Sequence, residues 1–174
     1  MDEHLSVSRS TRTPRGEIVV LAATEAPPVR TEVLHFQTEG SNDVVDVTDL
    51  AREVLKRSGV KHGQLTLHTP HTTTSLVINE AEAGFLNDYR RRLEALVPSD
   101  LYYEHDDWEI RTENLQEDEL LNGPAHVRQV LVGGASATVP VVDGQLLLGQ
   151  WQRFLFIELD QARERRVIVH AQGV

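Results

Sequence analysis

Leu67-His68-Thr69-Pro70-His71-Thr72-Thr73-Thr74-Ser75-Leu76-Val77-Ile78-Asn79-Glu80 sets two histidines, five hydroxyl side chains, an amide and a carboxylate beside an apolar run. After Pro70 the residues are mostly β-branched, which suits a strand. Side chains alternate faces along a strand. His71, Thr73, Ser75, Val77 and Asn79 then share one face, and Thr72, Thr74, Leu76, Ile78 and Glu80 the other. A face of His, Thr, Ser and Asn makes a poor core and reads as the wall of a site.

Outward from this stretch, strand patterns dominate. Residues 30–38 alternate, with Val33, His35 and Gln37 against Leu34 and Phe36, and residues 62–68 alternate again. Between them Thr48 is a plausible N-cap, Leu50, Ala51, Val54 and Leu55 recur at helical spacing, and Ser58-Gly59 closes the helix. Phe85, Tyr89, Leu93 and Leu96 form one apolar helical stripe that Pro98 ends. Residues 101–121 lack periodicity yet hold Tyr102, Tyr103, His105 and Trp108, a composition that suits function or an interface. Beyond His126, strands are expected at 127–132, 135–142, 145–148, 151–159 and 165–170, with Asp143-Gly144 as a hairpin turn and Gly149 as a bulge or close approach.

This pattern predicts an α+β fold: a single domain with a mixed or antiparallel sheet core and two helices in its first half. Residues 1–26 are assigned to a flexible N-terminal tail, within which 17–24 could form a short strand, and 27–174 to the folded domain.

The 174 residues carry a net charge of −10 with a pI near 5.2, which argues against sequence-independent binding to nucleic acid or an anionic membrane. No cysteine is present, so disulfides, thiolate metal sites and a cysteine nucleophile are excluded. No apolar run approaches the length of a membrane span, and a cytoplasmic location is the default expectation.

Three histidines, His71, His105 and His126, sit far apart in polar, turn-rich contexts. Converging, they would suit a divalent transition metal; apart, each is a surface or hydrogen-bonding residue. His68 lies beyond Pro70 and points to the opposite strand face from His71. Glu80, where a strand feeds a helix, is either a general base or a favourable charge at a helix N-terminus. Asp88 could face the site or solvent. Ser75 lacks the G-x-S-x-G context of a hydrolase nucleophile, so hydrogen bonding to a ligand or strand propensity accounts for it better. The clusters Arg90-Arg91-Arg92 and Arg163, Arg165, Arg166 could hold phosphate, although solvated charge fits them better. Trp151 suits a core anchor and Gln152 a ligand contact.

Together these motifs resemble the YjbQ family. The matching pieces are His71-Thr72-Thr73-Thr74-Ser75-Leu76 with Asn79-Glu80, Tyr103-Glu104-His105, and Asn122-Gly123-Pro124-Ala125-His126. They continue through Val139-Pro140-Val141, Gly144-Gln145-Leu146-Leu147-Leu148-Gly149 and Trp151-Gln152 with Glu158. The resemblance spans roughly residues 30–174. It implies a homotrimer with a site near subunit boundaries and a divalent ion held by His71, His105 and His126, zinc or similar, or magnesium with a diphosphate substrate. It also implies a thiamine-phosphate synthase activity, which joins a pyrimidine diphosphate to a thiazole phosphate and releases pyrophosphate. On this basis Glu80 is the expected catalytic residue, and Thr73, Ser75, Asn79, Asn122 and Gln152 are the expected ligand contacts. Residues 111–121 are longer and richer in Glu than the family pattern, and Arg153 stands where many members have Gly after Trp-Gln. Both departures fall at the expected pocket mouth. A metal-dependent phosphate-ester hydrolase and a non-enzymatic trimeric metal- or ligand-binding protein are the alternatives.

Overall fold

The computed structural model describes residues 16–25 and 27–174. The chain runs β1 (Ile18–Glu25), β2 (Pro28–Gln37), β3 (Val44–Asp46), α1 (Thr48–Ser58), β4 (Gly63–His68), β5 (Thr74–Asn79) and α2 (Ala83–Leu96). A 3-10 turn (Glu104–Asp106) then precedes α3 (Gly123–Val132), β6 (Ser136–Val142), β7 (Gln145–Leu146), β8 (Arg153–Glu158) and β9 (Glu164–Gly173). Six strands form one sheet in the order β1-β2-β9-β4-β6-β7, and three form a second in the order β3-β8-β5. Every strand pairing is antiparallel. The architecture is α+β in one domain, as the sequence pattern predicts. β1 lies within the stretch assigned to the tail and pairs with β2; residues 1–15 and residue 26 of that tail lie outside the described residues.

The small sheet is the middle layer, and its composition shows why. Phe154 and Phe156 of β8, with Val45 and Leu76, face the large sheet and α1. Leu155 and Ile157, with Val44, face Leu86 and Leu93 of α2 and Ala125 of α3. A strand covered on both sides needs apolar residues at successive positions rather than in alternation, and β8 is buried along Phe154, Leu155, Phe156 and Ile157. Phe36 of the large sheet meets Phe156 edge to face, with ring centroids 5.0 Å apart.

Several local expectations are corrected. Residues 127–132 belong to α3, not to a strand. Pro124 sits in the first turn of that helix, where its missing N–H costs nothing. Ala125 and Arg128 face inward while Val127, Val130 and Leu131 are exposed; of the β-branched residues that suggest a strand, Val127 and Val130 lie on the outer face and Val132 packs against the core. Thr48 is the first helical residue rather than the cap. Its amide donates to Asp46 Oδ1 at 2.9 Å, and its hydroxyl accepts from the Phe154 amide at 2.8 Å. β7 is shorter than expected and Gly149 lies in a loop. Asp143 and Gly144 adopt φ of 52° and 74°, the left-handed pair that a tight hairpin demands. Among the described residues no helix is long and apolar enough to cross a membrane.

Candidate functional site

Pro70 ends the chain's run as β4, so His71 to Thr73 form a loop before β5 rather than its first residues. The 3-10 turn supplies His105, the first turn of α3 supplies His126, the turn from β8 into β9 supplies Asp160 and Arg163, and the start of β9 supplies Arg165. These segments meet around a cavity of about 860 Å³ lined by all three histidines, with Thr73, Asn122 and Arg165 among its walls.

His105 and His126 lie ring against ring, with centroids 4.4 Å apart and planes tilted by 35°. His105 Nδ1 lies 3.1 Å from Asp106 Oδ1. Arg111 Nη1, which can only donate, lies 3.4 Å from the same nitrogen, so its two neighbours ask opposite tautomers of His105. The His71 Nε2 accepts from the Arg166 amide at 3.2 Å, so its proton sits on Nδ1. Burial, aided by Arg165 and Arg166, pushes the His71 imidazole down to about 4. Burial and the neighbouring His105 also lower His126. Both rings are therefore neutral near pH 7 and add no positive charge, and the one lone pair of His71 is already engaged by the Arg166 amide.

A buried ion pair backs the cavity: Arg165 lines it and Glu158 lies behind. Glu158 is 0% exposed and Arg165 6%. Arg165 donates Nε to Glu158 Oε2 and Nη2 to Glu158 Oε1, both at 2.6 Å, and Nη2 to Thr73 Oγ1 at 3.0 Å. Arg165 is thus not the solvated charge that its cluster suggests. Arg111 donates to Glu119 Oε1 at 2.7 Å, and this bond holds the Glu119 carboxyl below its usual range. Arg163 pairs with Asp160.

The expected site residues divide into two groups. His71, His105, His126, Thr73 and Asn122 line this cavity; Ser75, Asn79, Glu80 and Gln152 do not. Ser75 is buried, and its hydroxyl donates to the Gly133 carbonyl. The polar face of β5 thus satisfies backbone rather than ligand: the Leu76 amide donates to the Gly134 carbonyl at 2.6 Å. Asn79 and Glu80 are exposed at the far end of β5, where Asn79 Oδ1 accepts from the Glu80 amide. Glu82, not Glu80, caps α2 by accepting from the Gly84 and Phe85 amides. Gln152 is exposed and accepts from the Gly149 amide at 2.7 Å. Asp88 is likewise absent from the walls and pairs with Arg91.

Glu119, Asp160 and Asp106 went unmarked by sequence reasoning. Asp160 follows the apolar run of β8 by two residues, where a polar residue marks the turn toward β9. Glu119 is one carboxylate among several in an aperiodic stretch, and no local signal separates it from its neighbours.

The donor set has the chemistry a divalent ion needs, but not the disposition. Among the described residues no group of three His, Asp or Glu side chains is arranged to hold a metal ion. Two rings stack on each other and the third is engaged by a backbone amide, so the three share a cavity without sharing a coordination shell.

A family model described as UPF0047 protein YjbQ-like matches residues 32–174. A UPF0047 protein of Archaeoglobus fulgidus is 41% identical over 138 residues, covering 79% of this chain and 98% of the relative. One from Methanothermobacter thermautotrophicus is 37% identical over 145 residues, covering 83% and 93%. Among solved structures, a hypothetical protein from Aeropyrum pernix K1 is 32% identical with a TM-score of 0.69, covering 82% of this chain and 98% of that one. A YbjQ-like protein of unknown function from Sulfolobus solfataricus P2 has the same TM-score at 24% identity, covers 84% and 99%, and supports the fold alone.

Proposed function

Since this chain belongs to the UPF0047 YjbQ-like family, we propose that it is an enzyme acting on a phosphate-bearing small molecule in the cavity of His71, His105 and His126. The observation that carries this is convergence: three histidines distant in sequence line one cavity together with Arg111, Arg163 and Arg165. Guanidinium groups match phosphate oxygens in geometry and charge.

The reaction to test first is of the thiamine-phosphate synthase type. The carbon–oxygen bond to the diphosphate breaks and its electron pair leaves with pyrophosphate. The thiazole ring nitrogen supplies the pair for the new carbon–nitrogen bond. Arginines at the cavity wall would stabilise charge gathering on the leaving oxygens. Glu80, Ser75, Asn79 and Gln152 take no part within one subunit on this reading. A divalent ion belongs to the proposal through the family resemblance, and no step here is routed through it. Assembly as a homotrimer also belongs to it, supported by exposed apolar residues on α3 and on residues 101–121; light scattering measures it. A cytoplasmic location completes the reading.

The test is pyrophosphate release with both organic substrates present, in the wild type and in His71→Ala, His105→Ala and His126→Ala. Release that needs both substrates and is lost in the three variants is the expected result. Alanine variants that turn over at the wild-type rate would overturn the reading. Release of phosphate from a single ester would replace the transferase with a hydrolase, and binding without turnover would leave a binding protein.

A further inference from the structure

Among the described residues four buried side-chain oxygens lack a hydrogen-bond partner: Asn42 Oδ1, Tyr89 Oη, Glu119 Oε2 and Asn122 Oδ1. The first two line neither of the two cavities described here. Glu119 and Asn122 line both the histidine cavity and a larger neighbour of about 1360 Å³. They form part of the wall between the two.

Asn122 is 9% exposed. Its Nδ2 donates to Asp160 Oδ2 at 3.0 Å. An ionised carboxylate only accepts, so this bond fixes which end of the amide is which, and Oδ1 is an acceptor without a donor. Asn is among the best N-cap residues, and Asn122 stands at the N-cap of α3, yet its side chain makes no capping bond. Asp106 Oδ1 accepts from the Asn122 and Gly123 amides instead, at 3.0 and 2.8 Å. The helix end is thereby satisfied without Asn122 Oδ1. Glu119 is placed in the same sense: Arg111 occupies Oε1, which leaves Oε2 buried and unpartnered.

Two unpartnered acceptors in one wall call for a donor, since a buried acceptor without one loses its hydration uncompensated. The larger cavity agrees in character, with Tyr102, Tyr103 and Trp108 beside Asp100, Asp106 and Glu109. Aromatic faces and carboxylates favour cations. We propose that the ligand carries a nitrogen head group rich in N–H donors, an amine, amidine or guanidine, seated against Asn122 Oδ1 and Glu119 Oε2. This rests on the phosphate reading above for the ligand's other end, which lies toward Arg163 and Arg165 in the histidine cavity. The ligand is then zwitterionic and bridges the two cavities at their common wall.

Three probes separate the two ends: propyl phosphate, propylammonium and O-phosphoethanolamine, which carries both groups. Each is titrated into the full chain after treatment with chelator, by calorimetry and by following the Asn122 side-chain amide resonances, which are assigned by their loss in Asn122→Ala. O-phosphoethanolamine should bind at least about tenfold more tightly than propyl phosphate, the scale of one charge-assisted hydrogen bond. Propylammonium should shift the Asn122 amide. In Glu119→Gln, Arg111 holds the amide oxygen and turns the NH₂ to the place of Oε2, setting donor against donor; the amine's advantage should disappear while the melting temperature stays near wild type.

Equal binding of propyl phosphate and O-phosphoethanolamine would overturn this inference and leave the phosphate reading intact. An amine advantage that survives Glu119→Gln, or that arises only with added metal, would also overturn it. Propylammonium shifting Asn122 while propyl phosphate fails to bind would sustain this inference and remove the phosphate reading.

Discussion

Glu158→Gln removes one charge from behind Arg165, which lines the cavity, and almost no volume. In the native chain the Glu158 carboxylate is 0% exposed and accepts four hydrogen bonds. Two come from Arg165 at 2.6 Å, one from the Thr38 hydroxyl at 2.9 Å and one from the Asp160 amide at 3.1 Å. A carboxamide has one acceptor where these donors need two, and its NH₂ must then face a donor. Arg165 keeps Thr73 Oγ1 at 3.0 Å, and Asp160 Oδ2 lies 4.0 Å from its Nη2. Breaking a buried pair by removing one partner costs about 3–5 kcal/mol, and the nearby Asp160 places the expected loss near the low end, roughly 3 kcal/mol. The assay is urea unfolding followed by circular dichroism, with the midpoint lowered and the slope unchanged. A second variant separates charge from packing. Glu158→Leu with Arg165→Met removes both charges and should recover most of the loss, while binding of phosphate probes at the cavity falls. A loss below about 1 kcal/mol in Glu158→Gln, or a double variant no more stable than the single one, would refute the reasoning.

Acid should weaken the fold through His71. Its imidazole takes up a proton near 6.5 when unfolded and at about 4 when folded. The folded state therefore binds fewer protons between those values. Stability is complete above pH 6.5, falls as pH drops toward 4, and levels off below, by up to roughly 3 kcal/mol for that displacement. Urea midpoints at pH 7.5, 5.5 and 4.5 should show this slope, and His71→Leu should flatten it. Gly134 has φ of +79°, and a Cβ there would meet the Leu76 carbonyl oxygen at 2.2 Å. Gly134→Ala should cost more than about 1 kcal/mol in thermal unfolding, because the strand and the loop must part. Phe156→Ala empties the contact between the two sheets and should cost about 3–5 kcal/mol by urea unfolding, with far-ultraviolet dichroism preserved before the transition.

Why the sequence revealed one part and hid another follows from the layers. α1, α2 and the strands of the large sheet each present one face to the core, so their apolar periodicity is plain in Leu34 and Phe36 or in Phe85, Tyr89 and Leu93, although Leu86 rather than the exposed Leu96 completes the inner face of α2. β8 shows instead as the unbroken run Phe154 to Ile157, because the middle sheet is covered on both sides. α3 misleads for the opposite reason. Its inward residues include Ala125 and a buried Arg128, which donates to the Val97 carbonyl, while Val127 and Val130 face out. Only Asn122-Gly123-Pro124 signals the helix start. At the site, His71, His105 and His126 were legible as residue types in polar contexts, and folding brings them to one cavity. Ser75 was legible as a polar strand residue, but whether such a hydroxyl meets ligand or backbone depends on what lies opposite, here Gly133 and Gly134. Asp160 gains its significance from Asn122, distant in sequence, and Glu119 from an aperiodic segment that folds back onto Arg111, and periodicity carries neither.

The central claim is that the three imidazoles share one ligand site. The direct measurement is the proton–nitrogen spectrum of the histidine rings during titration with O-phosphoethanolamine, resonances being assigned by single substitutions. The account predicts that the rings of His71, His105 and His126 move together with one dissociation constant, while His35, His62, His68 and His170, which line neither cavity, stay fixed. Movement of only one of the three, or of the outer histidines instead, would contradict it.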